Sequence, residues 1–397
     1  MLVDFFTSSN ASDQSKMQTA KILCSLVCFL ILVSNVWTIS RWSESRGVYD
    51  DICYLRQAHL FREFGLDGLN TDIARDHDHY LASKLKEIGF PTWSDPATAP
   101  CHSLMPATQK RVMQYPPGTG FVLALFPAGF QAIPLYVLAT VIVFGFVLLA
   151  ISLARTWPAI LPAAALGCLT LYLMINPTKA SYSMAPTMVI CVLAAFFTAR
   201  LFATEQRRNR FALSALVGFL IGLAVDFRLP NLFLSSGYFV CFFVSFLISR
   251  KIEAAVQGML FGAAFLAGMV PTLLANAINA GSAFSTTYGA VDTVPPDFNV
   301  SIIWHYIADM QFVLLVLASA WTALILRLNR GNGITKAALV VAGNLLVNLA
   351  FFMSHPVFTP YYTIPVAVLS LWSLLFAGLM QSAEAVKGDS PGRRARA

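Results

Sequence analysis

Ten stretches of apolar residues, each close to the length of a membrane-crossing helix, divide this chain, and no water-soluble fold could bury them all. They fall at about 22–40, 134–153, 157–175, 184–203, 211–226, 230–249, 255–275, 303–326, 335–353 and 361–380. A helix needs about 20 apolar residues to cross a hydrocarbon core of roughly 30 Å. Hydrophobic residues make up 57% of the chain and charged ones only 12%, which excludes an ordinary soluble domain. The expected class is an all-α polytopic membrane protein. The first run is long and lacks a small-residue cleavage site, so it reads as a retained helix rather than a leader peptide.

A shorter run at about 118–131 contains Pro127 and stops before Pro134. About fourteen residues of helix reach only about 21 Å, so this segment is expected to enter the membrane without crossing it. The basic residues agree. If it does not cross, Lys16, Lys21, Arg155, "EQRRNR" (205–210), "SRK" (249–251), "RLNRGNGITK" (327–336) and the tail "KGDSPGRRARA" share one side. The short loops opposite then hold only Lys179 and Arg228 among basic residues. This pattern predicts ten spans plus one partial segment, 10–11 membrane helices in all, with both termini cytoplasmic. It accounts for the net charge of +7 without a nucleic-acid partner. The chain then divides into a cytoplasmic segment 1–21, an integral membrane domain 22–380 and a basic cytoplasmic tail 381–397. The loop 41–117 is the one large non-cytoplasmic segment, and it is expected to fold as short helices on the membrane surface. Within it, "ICYLRQAHLFREFG" has helical apolar spacing and a Gly65 stop.

Cys24, Cys28, Cys168, Cys191 and Cys241 lie in apolar runs and read as packing residues. Cys53 and Cys101 share the outer loop, where an oxidising compartment would permit a disulfide. No cysteine spacing fits a metal site. The "RDHDHY" run (75–80) places His77 and His79 between Asp76, Asp78 and Tyr80, and reads as solvated surface rather than a metal centre.

The costly polar residues gather on the outer face. Asp50 and Asp51 follow the first run, Lys179 lies in a short loop, and Asp226 and Arg228 occupy "AVDFRLPN". His305 and Asp309 open a later run, and His355, Tyr361 and Tyr362 precede the last. An unpaired ionisable group at membrane depth costs several kcal/mol, so such groups are functional candidates. The structural alternative is mutual pairing, for example Asp226 with Arg228. A cation at the membrane boundary can hold a phosphate whose lipid tail lies in the bilayer. A carboxylate above it can take a proton from an incoming hydroxyl. With phosphate as the leaving group, no general acid is required.

Asp50-Asp51-Ile52-Cys53-Tyr54 resembles the Asp-Glu-x-x-Tyr signature that follows the first helix of GT-C membrane glycosyltransferases. That superfamily includes the lipid A aminoarabinose transferases and the protein O-mannosyltransferases. "QYPPGTGFVLALF" (114–126) looks like the family's Pro-Pro segment, and "GLAVDFRLPNLFL" (222–234) like the turn that supplies a phosphate-binding cation. "LLANAINAGSAFSTTYG" (273–289) and "HPVFTPYYTIPVAVLSL" (355–371) resemble two later family motifs. The chain departs from the pattern at Asp51, which stands for Glu, and at Ala283, which stands for Pro. It also lacks the Lys before Pro-Pro and the basic residue of the late motif, near which only His355 lies.

The resemblance implies a GT-C-type fold and an inverting transfer from a polyprenyl-phosphate-linked sugar. Asp50 would be the base, with Asp51 its partner or the base itself. Arg228, with Lys179, would hold the donor phosphate, and Tyr54, Tyr115, Tyr288, His355 and Tyr361 would line the substrate. It implies no cofactor, with a divalent metal left open. The acceptor would be an envelope glycolipid, polysaccharide or protein, reached from the periplasmic side of a bacterial inner membrane. A lipid or saccharide transporter, or a transferase using another lipid donor, is the alternative. A transporter would be expected to carry charges at the bilayer midplane and an inverted repeat, and neither is evident in the sequence.

Overall fold

The computed structural model describes residues 11–44, 48–174, 181–288, 295–309, 311–328, 332–355 and 360–388. In a bilayer no water satisfies the backbone, so apolar runs become helices, which pair their own N–H and C=O groups. In chain order these are α1 (Ala11–Ser40), α2 (Tyr49–Phe64), α3 (Tyr80–Glu87), α4 (Gly118–Ala124) and α5 (Ala132–Leu153). There follow α6 (Trp157–Leu169), α7 (Met184–Ala203), α8 (Arg207–Phe227), α9 (Ser236–Ser249) and α10 (Ile252–Gly268). The last are α11 (Val270–Ala280), α12 (Val300–Ala308), α13 (Phe312–Leu328), α14 (Asn332–Ser354) and α15 (Ile364–Gly388).

Each apolar run of the sequence coincides with a helix or a bent helix pair. Among the described residues, 7 helical spans are long and apolar enough to cross a membrane, and up to 9 if each bent pair is one crossing. The bent pairs are α10–α11 and α12–α13, while the apolar helix at Trp157–Tyr172 is shorter. The α10–α11 axis turns by 52° just ahead of Pro271, which offers no N–H and whose ring would collide with the preceding turn. The partial segment is α4, only 7 residues long, and too short to cross. α1 starts at Ala11, well before its apolar run, so the helix continues past Lys21 rather than beginning there.

The span around α15 is the centre of the bundle, with 89% of its apolar window buried, whereas α1 is peripheral at 22%. Without a hydrophobic drive between helices in lipid, close packing must come from small residues. Gly218 and Gly222 lie one turn apart on α8, and a Cβ on either would overlap the carbonyl oxygen of Phe261 or Phe265 on α10. Gly268 of α10 meets the Phe219 carbonyl in the same way. This seam fixes the end of α8, and with it Asp226 and Arg228.

The outer loop contains α2 and α3 as expected. Gly65 ends α2 at φ 59, a left-handed value that costs glycine little. The loop also holds a hairpin of β1 (His102–Leu104) and β2 (Arg111–Met113), which corrects the expectation of helices alone. Strands of 3 residues leave too little alternation to read from sequence. Arg56 of α2 is fully buried and ties the loop together: it donates to the Thr71 carbonyl at 3.0 Å and the Asp72 carbonyl at 2.9 Å, and meets His102 Nε2 at 3.1 Å. Burial and the adjacent Arg56 guanidinium push His102 down to about 3, so its ring is neutral. Asn279 of α11 accepts from the Thr71 N–H at 3.0 Å and donates to the Leu69 carbonyl at 2.7 Å, docking the loop on the helix bundle.

Candidate functional site

Asp50 and Asp51 occupy the first turn of α2, where the helix dipole favours carboxylates. One residue apart on a helix, they point in different directions. Asp51 is 2% exposed and accepts the Tyr182 N–H at 2.9 Å. Asp50 is only half-buried and accepts the Tyr115 hydroxyl at 2.5 Å. Burial pushes the Asp51 carboxyl up to about 8, against the Tyr182 N–H that holds it down. The neutral acid therefore predominates at pH 7, and Asp50 is the carboxylate that a solute can reach.

Because its folded-state value lies above the ordinary carboxylate range, Asp51 contributes stability in acid that is lost as pH rises through about 8. Asn would keep the shape and still accept from Tyr182. We expect the apparent melting temperature of the wild-type protein to fall between pH 6 and pH 9, and that of Asp51→Asn to fall less. Parallel slopes in the two proteins would show that Asp51 is not held as the neutral acid.

Three tyrosines extend from the carboxylates. Tyr54 stacks on Tyr115 with ring centres 4.9 Å apart, and Tyr115 meets Tyr288 edge-on at 6.4 Å. The Tyr54 hydroxyl is bonded to the Ser183 side chain and lies in the fields of both Asp50 and Arg228, and burial raises it well above its ordinary value. Beside these rings is a small enclosed cavity lined by Gln57, Tyr115, Asn276, Thr287 and Tyr288. Gln57 is 1% exposed, and its Oε1 has no hydrogen-bond partner among the described residues.

Arg228 leaves the end of α8 in extended backbone at φ −153. Its guanidinium lies 4.8 Å from the Tyr361 ring centre and 4.6 Å from that of Tyr362, and one of its nitrogens contacts the Met184 sulfur. It is 5% exposed and has no carboxylate partner among the described residues. The local pairing of Asp226 with Arg228 is not what forms. Asp226 instead accepts from the Thr272 N–H at 3.0 Å and hydroxyl at 2.5 Å, capping the first turn of α11. Its second oxygen has no hydrogen-bond partner among the described residues.

The structure thus gathers Asp50, Asp51, Tyr54, Tyr115, Tyr288, Arg228 and Tyr361 on one end of the bundle. Tyr361 lies within the fields of Arg228, Asp50 and Asp51 together. Lys179 lies outside the described residues. His355 turns back on its own helix, bonding to the Phe351 carbonyl at 2.8 Å and stacking on the Phe351 ring. His305 bonds likewise to the Ser301 carbonyl at 2.9 Å, and Asp309 accepts the Gln311 N–H at 2.7 Å at the α12–α13 break. Sequence reasoning missed Tyr182, Ser183 and Met184, which hold Asp51, Tyr54 and Arg228. The first acts through its backbone N–H, which leaves no mark in a sequence.

His77 and His79 are exposed and belong to no metal-like group among the described residues, but His59, Glu63 and Asp78 place their ligand atoms within 4.8 Å of one another. His59 Nε2 lies 2.8 Å from Asp78 and 3.5 Å from Glu63, an arrangement that an ion pair explains as well as a cation would. No family model matches this chain, and neither does any curated protein.

Proposed function

We propose that this protein is an inverting glycosyltransferase of GT-C type, taking a sugar from a polyprenyl-phosphate donor at the outer face of a bacterial inner membrane. What carries the reading is a buried arginine with no carboxylate partner among the described residues, set in the same cluster as a reachable aspartate. A buried guanidinium without an anion is costly, and a phosphate at the membrane boundary would supply one in bidentate geometry. The rings of Tyr361 and Tyr362 lie against the guanidinium, a cation–π arrangement that positions it for that phosphate.

Asp50 takes the proton of the acceptor hydroxyl as that oxygen attacks the anomeric carbon. The attack is in line, opposite the bond from that carbon to the phosphate oxygen, so the configuration inverts as that bond breaks and the leaving phosphate stays on Arg228. Tyr115 fixes the Asp50 carboxylate and with Tyr54 and Tyr288 forms an aromatic wall for the sugar. The disulfide-tied outer loop, docked through Thr71 on Asn279, keeps water from the donor.

Native mass spectrometry of the protein gently extracted from its own membranes tests the donor class, with Arg228→Ala as the comparison. We expect a polyprenyl phosphate, with or without a sugar, on the wild type and its loss from the variant. If only bulk phospholipid accompanies both, the donor assignment fails, and lipid transport or a transferase with another lipid donor takes its place.

A further inference from the structure

The end of the bundle opposite Asp50 holds a second site. α7 begins at Met184, whose sulfur touches Arg228, and ends at Ala203, about 30 Å away by helix rise. Around that far end two clefts of about 470 and 410 Å³ adjoin, sharing Phe202, Thr204, Arg210 and Lys336. The walls are mixed. Phe202, Phe211 and Phe242 are apolar, whereas Arg210, Lys251 and Lys336 bring positive charge.

Two carboxylates adjoin the clefts, Glu205 and Glu253, and among the described residues only Glu253 forms an ion pair. Glu253 is taken by Arg207 at 3.0 Å and lies 3.9 Å from Arg210, so one carboxylate serves two guanidiniums. Lys336 is exposed and has no ion pair or hydrogen bond among the described residues. α8 and α14 start at this end with no acidic residue in their first turns, and α10 contributes only Glu253. Helix N-termini carry partial positive charge, so basic residues there add to the field rather than offset it. With Arg207, Arg210, Lys251 and Lys336 set against Glu205 and Glu253, the clefts keep a cationic excess that an anion would balance.

We propose that this cleft binds the phosphate headgroup of an anionic membrane lipid, with Lys336 and Arg210 as its cations and the Thr204 hydroxyl as a hydrogen-bond donor. The occupant is a lipid rather than free phosphate because the cleft runs onto the apolar face of α9. There Phe243 is 62% and Ile248 80% exposed, a surface suited to acyl chains. The site is independent of the chemistry at Asp50.

The test uses the full chain in detergent, titrated with phosphatidylglycerol or phosphatidylcholine and read by native mass spectrometry. Wild type is compared with Lys336→Gln, which removes no hydrogen bond or ion pair among the described residues, and with the Arg210→Gln/Lys336→Gln pair. We expect wild type to retain a tightly bound phosphatidylglycerol, the single variant to weaken it, and the pair to weaken it about tenfold. Phosphatidylcholine should bind all three alike. Equal retention of phosphatidylglycerol by wild type and both variants overturns the proposal. So does displacement of the lipid by millimolar inorganic phosphate, which would make the site one for the free anion. A thermal melt of each variant in the absence of lipid confirms that it is folded.

Discussion

Asp50→Asn should lower turnover by about a hundredfold or more, the usual scale for losing a general base, while leaving the protein folded and its lipid bound. The structure makes this substitution informative because Asp50 carries little of the fold. It is half-buried, its one described side-chain partner is the Tyr115 hydroxyl, and an amide oxygen can accept the same bond. Its neighbour separates the roles. Asp51 is buried on the Tyr182 N–H and held as the neutral acid, so it cannot take over the proton at pH 7. Tyr115→Phe should cost less than Asp50→Asn, since it removes a group that positions the carboxylate and not the carboxylate itself. The measurement is single-turnover transfer from a synthetic polyprenyl-phosphate sugar, with bound lipid counted in parallel. Full activity of Asp50→Asn with bound donor intact would remove Asp50 from the chemistry. Loss of both activity and bound lipid would point to donor binding instead.

How much of this was legible beforehand depends on how far each signal travels along the chain. Helix α2 could be read from local spacing and Gly65, since both act within a few residues. The apolar runs marked the helices but not their bends, because a run reads the same whether or not Pro271 turns it. The alternative of Asp226 pairing with Arg228 does not form, for a conformational reason. Asp226 is still helical and faces α11, whereas Arg228 is already extended and faces the rings of Tyr361 and Tyr362. Partners more than 130 residues apart cannot be found from spacing. Asp50 stands out by its place after the first apolar run and Tyr115 only through likeness to a motif, and the 2.5 Å bond between them is a matter of tertiary folding. His355 is not aimed at the substrate because a histidine near a helix end can bond its own preceding turn, which is what it does.

Replacing both Cys53 and Cys101 with Ser should destabilise the outer loop by about 4 kcal/mol on the chain-entropy scale for a closed loop of this size. The two cysteines are 48 residues apart and are bridged in the structure. The bridge lies directly below the carboxylates, one turn after Asp50 on α2, and its other end leads into the hairpin. The Gln114 N–H donates to the Cys101 carbonyl at 2.9 Å, and the next residue is Tyr115. Opening the bridge therefore loosens both partners of the Asp50–Tyr115 bond, and activity should fall together with stability. The bond can be counted directly. The other cysteines, Cys24, Cys28, Cys168, Cys191 and Cys241, are free. Alkylation of the denatured wild type should thus modify those alone before reduction, and Cys53 and Cys101 as well after it. The Ser/Ser protein should show no change on reduction and should lose its loop first on limited proteolysis. Because such bonds persist in oxidising compartments, finding it intact in protein taken straight from cells would also place the loop on the non-cytoplasmic side. Full alkylation without reduction would deny the loop its staple. The alignment of Asp50 would then rest on the Arg56 and Asn279 networks alone.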